Sequence, residues 1–156
     1  MTQGYRILDE PRPGPHAHLA VNPFWILLAS MLGGAWLAWP WFVFNALAIG
    51  SATRVKEITL VALGVVGSVV LYLAIAALVS SSVLDQRYAA YAPLGLVAYK
   101  LGISYALHVL QSRSFQLHEY FGGAVRNGML LVILGLVARG PVLERLGGSM
   151  WSIVFA

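Results

Sequence analysis

Lys100, Ser104 and His108 recur at intervals of four residues, and Gln111 follows three further on. Helical spacing of this kind sets all four side chains on one face. An amine, a hydroxyl, an imidazole and an amide in line can relay protons, guide an anion or bond to a neighbouring helix. The stretch that carries most of them, residues 88–110, is otherwise apolar and about as long as a bilayer is thick. A charge near the middle of such a stretch costs at least roughly 2.5–3.5 kcal/mol on the lenient insertion scale. Lys100 must therefore face other helices or a wet cavity, or give up its proton. Three roles fit the stripe: a buried hydrogen-bond seam that fixes helix register, a proton or anion path, and a docking face for a second membrane subunit. No acidic residue falls inside any apolar span, so the usual carboxylate proton carrier is missing, which weighs against the path.

Other chemistry-bearing patterns break off early. His118-Glu119-Tyr120-Phe121-Gly122 begins like H-E-x-x-H, but Gly122 stands where the second imidazole should be, and a metal would lose a ligand. His118 with Gly122 and Gly123 reads instead as a connector turn, where the glycines turn tightly and the imidazole bonds to carbonyls at a helix end. Haem in a bundle needs two imidazoles at similar depth on facing helices, and His108 and His118 do not offer that. His16-x-His18 supplies two ligands in a tail, a weak metal site. With no cysteine, disulfides, thiolate metal sites and Cys nucleophiles are excluded. There is no G-x-S-x-G elbow or P-loop, and Ser80, Ser81 and Ser82 have no neighbouring His base. The expectation is a chain without enzymatic activity or cofactor.

The elements that must position the stripe follow from composition. Of 156 residues, 59% are hydrophobic and 10% charged, with mean hydropathy +0.76. Soluble domains carry about 25% charged residues, so the charges here are too few to cover a globule in water. Four spans are expected, at about residues 24–48, 58–80, 88–110 and 124–138, together forming a transmembrane domain over residues 21–140. Asn22-Pro23 suits the start of the first helix, and Pro40 should kink it. Trp25, Trp36, Trp39 and Trp41 read as an interfacial belt. In the second span Gly64 and Ser68 form a small face for helix packing. Residues 51–57 and 111–123 read as connectors.

Residues 1–20 read as a water-side arm without the apolar segment of a signal peptide, and residues 141–156 as an interfacial tail. The net charge of +4 is scattered, which suits anionic headgroups rather than nucleic acid. Four spans put both termini on one side, and the slight excess of Arg and Lys there points to the cytoplasm.

Asn22-Pro23-Phe24-Trp25, the Gly33-Gly34 pair, Asn45 and His118-x-x-x-Gly122-Gly123 together resemble a group of small, uncharacterised bacterial membrane proteins with four predicted transmembrane helices. The likeness covers most of the chain. It departs where Arg139-Gly140-Pro141 interrupts the fourth span, which puts the shape of the C-terminal region in question. The resemblance implies a compact helical bundle and supplies no activity. The resulting expectation is an all-α, integral membrane four-helix bundle in the bacterial cytoplasmic (inner) membrane. Its partners would be the lipid bilayer and either a membrane protein complex, which it serves as an accessory or scaffold subunit, or further copies of itself. The alternative is a small transporter or channel with its polar path along the third helix.

Overall fold

The computed structural model describes residues 14–81, 86–89 and 91–147, and these form helices, turns and loops with one isolated bridge between Val21 and Arg126. The helices are α1 (Pro23–Leu32), α2 (Ala35–Ile49), α3 (Arg54–Ser80), the single turn α4 (Gln86–Ala89), α5 (Ala92–Tyr120) and α6 (Met129–Arg145). Asn22 caps α1, its Oδ1 accepting from the Phe24 N–H at 2.9 Å, with Pro23 in the first turn.

Residues 24–48, expected as one span, are two helices. The break falls at Gly33-Gly34, where Gly34 has φ 101°, a conformation open to glycine and strained for other residues. Pro40 lies inside α2 without ending it. The two helices run antiparallel. Val21, just ahead of α1, exchanges two hydrogen bonds of 2.9 Å with the Asn45 amide near the end of α2, and the Gly14 N–H donates to the Ala48 carbonyl at 3.0 Å. At about 1.5 Å per residue, α1 rises about 15 Å and α2 about 22 Å, both short of a hydrocarbon layer about 30 Å thick. They form a helical hairpin with its tip at the glycine pair.

Three other boundaries differ from the sequence reading. The expected connector at residues 51–57 is partly helix, since α3 already begins at Arg54. Residues 111–120, expected as a polar link, are the last turns of α5; Gln111, Ser114 and His118 stay on its buried face, so the polar residues there mark a packed helix. The expected fourth span at 124–138 begins late because residues 124–128 are held in a loop: the Arg126 N–H donates to the Ala20 carbonyl at 2.8 Å. Its helix, α6, then runs through Gly140 and Pro141 to Arg145. Proline removes only one backbone donor, and α6 continues past that gap.

Of the water-side arm expected at residues 1–20, Gly14–Ala20 packs on α2, and Ala20 is buried with Ile49 and Phe115. Residues 1–13 of that arm lie outside the described residues, as do residues 148–156 of the expected interfacial tail.

Close approaches fix the helix directions. Gly64 of α3 meets Trp39 and Ile103, and Gly67 meets the Tyr99 ring, so α3 and α5 run antiparallel. Gly128 lies against Val21 and Trp25, while Gly135 lies against Gly33 and Leu37, so α6 runs alongside α1. The core gathers Ile26, Ala35, Ala38, Trp39, Phe42 and Leu107. Trp39 is therefore a core residue and not part of an interfacial belt.

Outside this core the helices present apolar faces. Only Glu57, Gly64 and Ser68 of the 27 residues of α3 are buried, while Leu63, Val66, Val70 and Leu73 stand exposed. Helices α3 and α5 are each long and apolar enough to cross a membrane.

Candidate functional site

Two polar features lie between the helices, about 16 Å apart along α5 by helix geometry. The first is a closed knot around Gln111 at one end of the bundle. The Gln111 Nε2 donates to the Phe42 carbonyl at 2.9 Å and to Glu57 Oε2 at 2.8 Å, while its Oε1 accepts from Asn45 Nδ2 at 2.9 Å. Glu57 Oε1 accepts from the Ser51 and Thr53 hydroxyls at 2.6 and 2.7 Å. Ser51 also meets Ser114 of α5 at 2.9 Å. Asn45, Glu57 and Gln111 are all at 0% exposure. Buried polar groups survive by finding such partners, and here the partners come from α2, α3, α5 and the turn before α3. The segment expected as a connector, residues 51–57, thus supplies a buried carboxylate: Glu57, just ahead of the apolar span at 58–80, sits in the first turn of α3, folded inward.

Of the stripe read from sequence, Lys100, Ser104 and Gln111 are on the buried face of α5. His108 is not on it; it is half-buried, near the Tyr105 ring, and its Nδ1 has no hydrogen-bond partner among the described residues. The buried line instead runs through Ser104, Leu107, Gln111, Ser114 and His118, alternating steps of three and four residues. This repeat of 3.5 keeps one seam against a partner helix. Asn45, Glu57, Ser51 and Ser114 were missed as site residues. Ser114 could have been found by extending the three-four alternation past Gln111. Glu57 carries only a faint signal, as an acid in a first turn, where the helix dipole favours it.

His118 is buried on α5, its Nε2 3.3 Å from the Ala124 carbonyl. The connector turns immediately beyond it: Gly122 has φ 78°, and the Gly123 N–H donates to the His118 carbonyl at 2.8 Å. Gly123 lies against the imidazole so closely that any side chain would run into the ring. His18 lines a pocket with His118, yet no group of three or more His, Cys, Asp or Glu suited to a metal ion occurs among the described residues.

The second feature is a cleft of about 180 Å³ at the hairpin tip, lined by Ser30, Met31, Ala35, Lys100, Ser104 and Arg139 among others. Lys100 is 8% exposed. Arg139 donates from one guanidinium nitrogen to the Leu32 carbonyl at 3.1 Å, at the C-terminal end of α1. Ser104 accepts from the Trp39 indole at 3.1 Å. The Trp36 indole covers the Gly33 carbonyl at 2.8 Å. Backbone exposed by the break between α1 and α2 is thus satisfied from within, the condition under which non-helical backbone is tolerated at membrane depth.

Comparison with family models, with curated proteins and with solved structures returned no match.

Proposed function

We propose that this chain is an integral membrane protein of the bacterial cytoplasmic membrane, without enzymatic activity, serving as an accessory or scaffold subunit or as a self-associating bundle. The observation that carries the reading is the closed knot. Gln111, Glu57, Asn45 and Ser51 bond to one another and to backbone, so the polar atoms at that end hold helices together and leave little for a substrate.

The membrane setting is supported by exposure. In the core helix of a soluble protein most residues are buried, whereas the most apolar windows of α3 and α5 are 11% and 22% buried. Lipid is the solvent such faces need. The arrangement supported is two crossings, α3 and α5, with the α1–α2 hairpin dipping in and returning and α6, about 25 Å long, running alongside α1. Arg54, Lys56, Arg113 and Arg126 gather at the knot end, against Arg87 and Arg145 at the other. This bias supports a cytoplasmic knot end, with the far ends of α3 and α5 in the other compartment. A second reading, a small conduit, is favoured by one observation only, the cationic cleft beside the hairpin tip.

The test is crosslinking in native membranes, followed by extraction in mild detergent and identification of what is attached. A foreign membrane subunit or a second copy in fixed stoichiometry is the expected result. Recovery of an uncrosslinked monomer would overturn the accessory and self-associating readings together.

A further inference from the structure

A second line with the 3.5-residue repeat runs along the outer side of α5. Leu94, Ala98, Leu101, Tyr105, His108 and Ser112 follow one another in alternating steps of four and three. That alternation is the seam of a coiled coil, in which knobs of one helix seat in holes of another. Leu94 and Tyr105 are 62% and 61% exposed, Ala98 is exposed, and Leu101, His108 and Ser112 are half-buried. The inner line is already packed, whereas this one is open along its length. Lipid suits its apolar members. It does not suit Tyr105 and His108, and those two residues carry the argument.

Tyr105 lies about 20 Å beyond the start of α5 at Ala92 and about 12 Å before the exposed Arg113 at the knot end. This places it well inside a hydrocarbon layer about 30 Å thick. Helical side chains tilt toward the N-terminus of their helix, which turns Tyr105 and His108 away from the nearer surface and its water. Among the described residues neither the Tyr105 hydroxyl nor the His108 Nδ1 has a hydrogen-bond partner. Lipid tails offer none, so polar groups at such depth are satisfied by protein. The chain itself holds the complement: a phenol donates, a neutral imidazole accepts, and the two rings stand one turn apart on this line, 6.4 Å between centroids. A twofold axis along the membrane normal keeps every residue at its own depth and turns the line against itself. Each copy's Tyr105 then meets the other's His108, and the bond forms twice. From these observations we infer that α5 pairs in parallel with α5 of a second copy of this chain, along the line from Leu94 to Ser112. The inference takes up the self-associating branch of the reading above, and its depth argument rests on the membrane setting.

The test uses the full chain, which has no cysteine, carrying one cysteine at a time in native membranes treated with copper phenanthroline. Ala98→Cys and Ser112→Cys lie on the line. Gly95→Cys, one residue past Leu94 and so turned about 100° from the line, and Val66→Cys on α3 lie off it, both at exposed positions. A disulfide needs Cα atoms about 4.4–6.8 Å apart, so the on-line pair should give roughly ten times more linked dimer than the off-line pair. In detergent micelles, Tyr105→Phe and His108→Leu should each weaken pairing about tenfold, the loss of two interhelical hydrogen bonds, read by energy transfer between labelled copies. Unchanged circular dichroism checks that both variants fold. Linking at Ala98→Cys and Ser112→Cys no stronger than at Gly95→Cys overturns the seam, and pairing unaffected by Tyr105→Phe and His108→Leu overturns its chemistry. Dimers linked through Val66→Cys alone would move self-association to another face, refuting this inference and leaving the functional reading in place. On-line cysteines linked only to a foreign protein would refute the second copy and leave the accessory role. A chain monodisperse without detergent would sink the membrane setting, while the linking pattern would still decide the seam.

Discussion

Replacing Gln111 with leucine keeps the approximate side-chain volume and removes three hydrogen bonds at once. These bonds reach the Phe42 carbonyl, Asn45 and Glu57 at 2.8–2.9 Å, all at a site with no solvent exposure. Interhelical hydrogen bonds in membrane proteins average about 0.6 kcal/mol and reach about 1.7. On that scale the loss is about 2 kcal/mol. Bonds to an acidic group run higher, about 1.5–3 kcal/mol when it is charged, and a buried acceptor left bare adds its own cost. Glu57 Oε2 loses Gln111, although Glu57 Oε1 retains Ser51 and Thr53, and Asn45 retains Val21. The expected destabilisation of Gln111→Leu is therefore about 2–4 kcal/mol. It is measured by equilibrium unfolding in mixed micelles titrated with SDS, followed by circular dichroism. Ser112→Ala is the matched control: its hydroxyl donates only to the His108 carbonyl of its own helix, and it should change stability by less than about 0.5 kcal/mol. Glu57→Gln should lose under half as much as Gln111→Leu. The Ser51 and Thr53 hydroxyls can turn to accept from an amide, and its carbonyl can still accept from Gln111. A Gln111→Leu protein as stable as wild type would refute the claim that the knot holds these helices together.

Two further outcomes follow from the packing and the chain direction. Gly64→Leu should destabilise by about 1–3 kcal/mol through overpacking, because a Cβ there already meets Ile103 at 3.0 Å and Trp39 at 3.1 Å; Gly102→Ala, with nothing within 4 Å, should be neutral or stabilising by up to about 1 kcal/mol through helix propensity, both read in the same micelle titration. For topology, the chain has no cysteine, so Leu19→Cys and Ala52→Cys, both at exposed positions, can be labelled singly with a membrane-impermeant maleimide. The hairpin predicts that both react from the same side, with Ser81→Cys reacting from the other; labelling of Leu19→Cys and Ala52→Cys from opposite sides would restore a single crossing through residues 24–48.

The stripe on α5 was readable because a polar residue in an apolar run has only one place to go, and spacing tells which face that is. Lys100, Ser104 and Gln111 were found on this ground, as were Gly64 and Ser68 on α3. The hairpin was not readable for a related reason. Residues 24–48 are apolar on every side, so hydropathy alone cannot separate one long helix from two short ones packed together. Pro40 drew attention as the breaker, yet a proline in a helix removes one hydrogen bond and leaves φ helical. Gly34 changes the backbone direction outright, at φ 101°. The glycine pair was visible, but its meaning depended on Asn45 reaching back to Val21, a contact between residues 24 apart.

Charge misled at the ends of helices for a physical reason as well. Arg54, Lys56 and Glu57 look like a solvated connector, and the first two are exposed. Glu57 is one residue beyond Lys56 on a helix, hence turned about 100° away, and that turn carries it from water into the knot. In the same way Arg139 looked like the end of a fourth span that had run out of apolar residues. It lies instead within α6 with its guanidinium on the last carbonyl of α1, where a cation suits the negative end of a helix dipole. The break that makes the hairpin exposes that carbonyl, so the glycine pair and the arginine belong to one device. Neither explains the other's position until the chain is seen to turn back at Gly33-Gly34.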